Sequence, residues 1–313
     1  MAWIFSVPPV DEIALLAEAD RLLADQPVAC LDGAALRRAT TSHGVDLATA
    51  MAYRAFHRDP VNGAFLARLA ASPTSADERL GGGRPLLVVP TMYYRERPEL
   101  GGDGGLVAGI GARFGLRVET AATVSLGSIA DNAAILAAHL RTWTTRGWVV
   151  TLSKGTADLK RALVTEPTLA ERMLGWISLA GMAGGTPLAE AKPGRPISHA
   201  LLGAWLRLRG ADAAMLPEMG ATHAYSRAPL RLPTDLPVVS VVGMPLASHL
   251  RAPVGRSAAW LGRQGPNDGY VLLEHACLPG LVAPLWGADH YLRTPDLAPV
   301  LYRLFRWGLE GRS

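Results

Sequence analysis

The sequence predicts an α/β fold: a mainly parallel sheet with helices on both faces, a helical segment before it and a helical cap insertion late in the chain. Three observations carry this. From about residue 84, short apolar runs rich in branched residues alternate with helix-length segments, a rhythm that needs crossovers between parallel strands. The runs "LLVV" (86–89) and "WVV" (148–150) are continuously apolar, as strands buried on both faces are. Residues 10 to 70, in contrast, show only helical spacing.

The elements follow in order. "VDEIALLAEADRLLAD" sets Ile13, Leu15, Leu16, Leu22 and Leu23 at helix-face spacing behind Asp11 as a cap. "DLATAMAYRAFHRD" and "VNGAFLARLAAS" continue in the same style, with Asp46 and Asn62 as caps. "SPTSADERLGGGR" is polar and glycine-rich and reads as a linker. A boundary near residue 80 therefore separates an amino-terminal helical segment, 1–80, from a second unit, 81–313. In that unit "RPLLVVPTMYY", "LRVETAA", "WVVTLS", "MLGWISLAG" and "VVSVVGMP" read as strands. "GGLVAGIGARFG", "SIADNAAILAAHLRTW" and "TADLKRALV" read as the helices between them. Residues 190–235 break the rhythm with helical sequence, placed where a cap over a pocket would sit. Its Leu201, Leu202, Trp205, Leu206 and Met215 would either face a hydrophobic acyl group or pack the cap onto the sheet.

Composition narrows the function classes. The 313 residues are 49% hydrophobic and 19% charged, which describes a globular protein. The net charge of +4 comes from arginines scattered among acids, so no nucleic-acid partner is expected. Cys30 and Cys277 have neither metal-ligand spacing nor the numbers for a disulfide framework, and read as buried thiols. No His/Cys/Asp/Glu cluster has ligand spacing, so no metal is expected. The start, "MAWIFSVPPVDE", lacks the pattern of a secretory signal, and no apolar run approaches the roughly 20 residues of a membrane helix. A cytoplasmic protein without stable membrane insertion is the expectation. "GGGR" (81–84) and "GGDGG" (101–105) lack the lysine and Ser/Thr of a phosphate loop, and read as flexible loops, the second as a gate to the pocket. No dissociable cofactor is expected.

The chemistry centres on "GWVVTLSKGTADLKRAL", 147–163. Ser153 stands at the carboxyl end of a strand, in the turn into a helix, where open parallel sheets bind ligands. Such a turn exposes the hydroxyl and wants small residues two positions to either side; Gly155 and Thr151 occupy them. The backbone N–H of Lys154 would lie at the helix N-terminus, where the peptide dipoles favour an oxyanion. A serine at a helix start is also a common N-cap, so a base and an acid are needed to distinguish the two. Asp268, in an Asn-Asp-Gly turn, and His290, 22 residues on, follow in the order serine, acid, histidine. Asp289 and Asp235 are rival acids, and His275 is a rival base. Asp268 could equally serve only its turn.

"GGTPLAE" (184–190), "NDGYVLLEHACLPG" and "GADHYL" resemble stretches of α/β-hydrolase serine esterases, especially bacterial lipase-like members, over about residues 84–300. The resemblance implies a triad of Ser153, Asp268 and His290 that cleaves a small-molecule carboxylic ester through an acyl-enzyme. An acyltransferase or thioesterase using the same triad is the alternative. The resemblance also places the second oxyanion donor after the first strand, at the N–H of Met92, with Thr91 or Tyr93 as alternatives. This chain has Pro90-Thr91-Met92-Tyr93 where the family commonly has His-Gly, and Thr151 where glycine is usual. Tyr291-Leu292 follows the histidine in place of the Leu-Asp found beside a calcium site in some bacterial lipases, so no calcium is implied.

Overall fold

The computed structural model describes residues 10–25, 32–190, 199–252 and 254–311. Residues 1–9 of the stretch read for a signal, Cys30 and residues 191–198 of the insertion lie outside them. Helices α1 (Val10–Asp25), α2 (Gly33–His43), α3 (Val45–Arg58) and α4 (Pro60–Ala71) come first. Then β1 (Pro85–Val89), α5 (Gly105–Arg113), β2 (Arg117–Thr120), α6 (Ile129–Arg141), β3 (Gly147–Leu152), α7 (Lys154–Thr165) and β4 (Met173–Leu179) alternate. The insertion holds α8 (His199–Leu208), α9 (Met215–Glu218) and α10 (Ala224–Arg227). After it come β5 (Val238–Met244), α11 (Val254–Leu261), α12 (Leu273–Ala276), β6 (Leu281–Trp286) and α13 (Leu297–Glu310).

The strands form one sheet in the order β2-β1-β3-β4-β5-β6, and every neighbouring pair is parallel. Side-chain alternation sorts its two faces. Leu86, Val88, Trp148 and Val150 pack with α4, α5 and α13, whereas Leu87, Val89 and Val149 pack with α6 and α7. Trp148 fills a space that only glycine leaves open: a Cβ on Gly175 of β4 or Gly308 of α13 would come within 2.2 or 2.5 Å of its ring. A third cluster joins Leu16, Met51, Tyr53 and Phe56 of the first helices to Leu206 and Met215 of the insertion and to Met244 and Val282 of the sheet. The amino-terminal helices thus share a core with the α/β unit.

The two edges of the sheet are handled differently. β2 is short and carries the Arg117–Glu119 ion pair, which discourages further strand pairing. β6 is met by Asn62, and here the expected helix cap is replaced by another role. Asp59 caps α4, accepting from the Asn62 N–H at 2.7 Å. The Asn62 amide accepts from the N–H of Val282 at 2.7 Å and donates to its carbonyl at 3.0 Å, completing one step of a ladder beside β6. Asp46 likewise does not cap its helix; Gly44 does, and Asp46 accepts from the Ala247 N–H. Glu12 of α1 ties the segment down again, accepting from Trp286 Nε1 at 2.6 Å and lying 2.8 Å from His249 Nε2. Helix α2 falls within the stretch 10–70 read as helical, whereas α11 and α13 have no counterpart in the sequence reading. Cys277 is half-buried where a buried thiol was expected. Among the described residues no helix is long and apolar enough to cross a membrane.

Replacing Asn62 with alanine strands buried backbone groups of Val282, a loss on the order of 1–3 kcal/mol. Urea unfolding of Asn62→Ala checks this, with the midpoint falling and the slope unchanged.

Candidate active site

β3 ends at Leu152, and the chain reverses sharply to enter α7 at Lys154. Between them Ser153 holds φ 45° and ψ −111°, a conformation L-residues avoid. Its N–H still donates to Leu179 O at 2.9 Å, extending the β3–β4 ladder by one residue before the turn. Glycine is required at 155 because a Cβ there would sit 2.7 and 2.8 Å from the carbonyl oxygens of Pro90 and Val89. Thr151 is fully buried, and its hydroxyl accepts from Trp176 Nε1 at 2.9 Å and bonds the Thr156 hydroxyl at 2.8 Å. The Thr156 hydroxyl in turn lies 2.9 Å from that of Ser178, so a satisfied hydroxyl chain underlies the turn.

Ser153 occupies the N-cap position of α7, yet its side chain caps nothing. Its Oγ lies 2.8 Å from His290 Nε2, and His290 Nδ1 lies 2.7 Å from Asp268 Oδ2. Asp268 serves its turn as well, with Oδ1 accepting from the N–H groups of Tyr270 and Val271 at 3.0 and 2.8 Å. The His290 N–H donates to Asp268 O at 2.8 Å, so backbone and side chain together fix the pair. Burial works to lower the imidazole's pKa, but the charge of Asp268, the hydrogen bond to it and the charge of Asp289 outweigh burial, and the net displacement is upward. Tyr270 packs edge-on against the ring at 5.4 Å.

The rivals fall elsewhere. Asp289 accepts from the Tyr291 N–H, Asp235 is exposed ahead of β5, and His275 Nε2 faces Glu274 at 3.9 Å. His223 caps α10, and His139 faces Glu119 at 3.0 Å. The Lys154 side chain lies neither beside the serine hydroxyl nor in solvent. It is buried with Nζ 2.8 Å from Asp158 Oδ1, one helical turn along α7. The Lys154 N–H points to Thr91 Oγ1 at 3.3 Å, and Met92 lines the same cavity as Ser153. The Thr91 N–H donates to Gly102 O, which removes it from the alternatives for a second oxyanion donor. Among the described residues no group of three His, Cys, Asp or Glu side chains could hold a metal.

Ser153 and His290 open into a cavity of about 770 Å³. Leu202, Trp205, Leu206 and Met215 line it from the insertion, while Leu201 is 68% exposed and does not. Gly101, Gly102 and Gly104 of the loop before α5 form part of its wall. Four non-glycine residues have φ between 45° and 63°: Tyr93, Ser153, Ala180 and Leu292. All four line this cavity. Backbone strain among the described residues is therefore concentrated around one space.

No family model and no curated protein matches the chain in sequence. Solved structures do match in shape. A metagenomic carboxyl esterase superposes with a TM-score of 0.59 at 23% identity, over 76% of this chain and 78% of that one. The mature form of a lipase from Bacillus licheniformis superposes with a TM-score of 0.52 at 18% identity, over 72% of this chain and 92% of that one. The chain has the α/β-hydrolase fold. In this fold the serine and the histidine follow β3 and β6 directly, and the aspartate sits in the turn between α11 and α12, within the connection from β5 to β6.

The balance of charges around His290 has a measurable consequence. Its imidazole should titrate above the ordinary 6.5, and Asp268→Asn should move it down, because burial then acts with less opposition. Histidine-resolved NMR titration of both proteins checks this.

Proposed function

We propose that the protein hydrolyses a carboxylic ester with a hydrophobic acyl portion through an acyl-enzyme on Ser153. The observation that carries the reading is the continuous contact from Ser153 Oγ to His290 Nε2 at 2.8 Å and from His290 Nδ1 to Asp268 Oδ2 at 2.7 Å. A serine hydroxyl is a weak nucleophile until a base takes its proton, and the imidazole is placed to do so. Ser153 Oγ forms a bond to the carbonyl carbon while its proton passes to Nε2. The carbonyl oxygen becomes an oxyanion, which the N–H groups of Lys154 and Met92 stabilise. Collapse expels the alkoxide, which takes the proton from His290. Water then repeats the sequence on the acyl-enzyme and releases the acid. Asp268 holds the ring with Nε2 facing the serine and offsets the positive charge it gains.

The cavity walls support the substrate class. Leu202, Leu206, Met215, Leu216 and Met219 of the insertion line it together with Leu106, Val107 and Leu301. Apolar walls of this kind favour an apolar acyl chain. The similar structures are those of an esterase and a lipase, which agrees with ester cleavage.

Ser153→Ala is expected to abolish both turnover of a p-nitrophenyl ester and labelling by a fluorophosphonate, with little change in melting temperature. Ser153→Gly should abolish both and raise the melting temperature, since glycine relieves strain on the order of 1 kcal/mol at this φ. Failure of the wild type to label would remove the reading. The wild-type kcat/KM should rise with pH through an inflection above 6.5, because only the neutral imidazole accepts the serine proton.

A further inference from the structure

We propose that the Thr91 hydroxyl is a third oxyanion donor, a side-chain group supplementing the two backbone N–H groups. This rests on the acyl-enzyme reading above. Thr91 lies two residues past the end of β1, half-buried, in the wall of the cavity that Ser153 opens into. Its Oγ1 is 3.3 Å from the N–H of Lys154. That N–H follows the nucleophile at the start of α7, where developing negative charge is best stabilised. An oxygen within reach of it lies next to the place an oxyanion would occupy.

The side chain is held in this orientation. The Thr91 N–H is committed to Gly102 O at 3.0 Å, which fixes the backbone of the residue. Its methyl lies against Gly102, where a Cβ would approach to 2.7 Å. A branched side chain has few χ1 wells, and with the methyl lodged there the hydroxyl is left toward Lys154. Both fixtures come from the glycine-rich loop before α5, whose composition alone suggests only flexibility.

In the free protein the hydroxyl accepts from Lys154 N–H. When the tetrahedral intermediate forms, its oxyanion takes that N–H, and the hydroxyl turns its own hydrogen onto the same oxyanion. The hydroxyl keeps its proton throughout, so no bond is made or broken at Thr91. A serine or threonine hydroxyl can reverse roles in this way because it carries one donor and two acceptor sites on one rotor. The interaction exists only once charge develops, so it acts on kcat more than on KM.

The test compares wild type, Thr91→Val and Thr91→Ser on a p-nitrophenyl ester and on a trifluoromethyl ketone, which forms a tetrahedral adduct with the serine. Thr91→Val, nearly isosteric, should lower kcat on the order of 10²-fold with KM little changed. It should weaken the ketone by a similar factor. Thr91→Ser should recover most of both, and fluorophosphonate should still label Ser153 in each variant. A hydroxyl that merely capped α7 would shift the melting temperature and leave the ketone's relative affinity unaltered. Should Thr91→Val fail to fold, Thr91→Ala carries the same comparison. Undiminished kcat and ketone affinity in a labelled Thr91→Val overturn the role of Thr91 alone. An unlabelled, inactive wild type removes the acyl-enzyme reading and this proposal with it.

Discussion

The arrangement at the carboxyl end of the sheet depends on how closely α7 approaches the end of β1. With Gly155 against the carbonyl oxygens of Val89 and Pro90, the chain leaving β3 has no room for a relaxed turn. Ser153 therefore takes the whole reversal at φ 45° while its N–H remains in the ladder with Leu179. Strain of this kind costs on the order of 1–3 kcal/mol and survives only where the surroundings over-determine it. Two apolar clusters on the faces of the sheet and the hydroxyl chain of Thr151, Thr156 and Ser178 provide that constraint. A looser approach would let the turn relax and swing the hydroxyl away from His290.

The same device recurs one strand along. Ala180 follows β4 as Ser153 follows β3: its N–H donates to Val241 O at 2.9 Å, and it then turns at φ 45°. Each turn carries the ladder a residue beyond its strand and then directs the chain abruptly out of the sheet. Tyr93 and Leu292, in the loops after β1 and β6, also hold positive φ. Turns this tight at the ends of β3 and β4 fix the cavity wall beside the serine, which suits a site whose groups must meet within hydrogen-bonding distance.

What the sequence displayed follows from what leaves a mark on residue types. The buried strands showed as apolar runs, and their alternation with helices carried the sheet, because burial on both faces filters composition strongly. The amphipathic α1 and α3 were legible for the same reason. Asn62 was not, since an amide that pairs with a strand edge 220 residues away looks identical to one capping the nearest helix. The burial of the Lys154 side chain was not legible either, because adjacency to a serine says nothing about which way a long side chain turns. α13 carries Leu301, Leu304 and Phe305 at helix-face spacing, a pattern as clear as that of α1. The residues of the candidate site were nameable only in combination: a serine after a buried strand, an Asn-Asp-Gly turn and a late histidine, each common by itself. Thr91 had no such combination. Its relation to Lys154 joins a loop to a helix start 63 residues away.

The buried charge beside the serine explains how the insertion is set relative to the sheet. If the Lys154 N–H is to face the cavity, its side chain must leave on the other side, and there it is 1% exposed. An ammonium buried without a partner would be ruinous, so Asp158 meets it at 2.8 Å and is itself steadied by Asn132 Nδ2 of α6 at 3.0 Å. Burial pushes the Asp158 carboxyl up to about 6 against the pull of Lys154, and the nearby Glu218 adds to the rise. Glu218 belongs to α9 and accepts from Ile129 and Ala130 N–H groups at the start of α6, where a carboxylate is favoured by the helix dipole. Swapping such a group of charges for apolar residues could cost little in stability, whereas removing one member leaves another uncompensated. Its value is directional. Apolar contacts between α9 and the sheet would tolerate sliding, but Lys154, Asp158, Asn132 and Glu218 fit in one registration, and that registration sets Met215 and Met219 over the cavity.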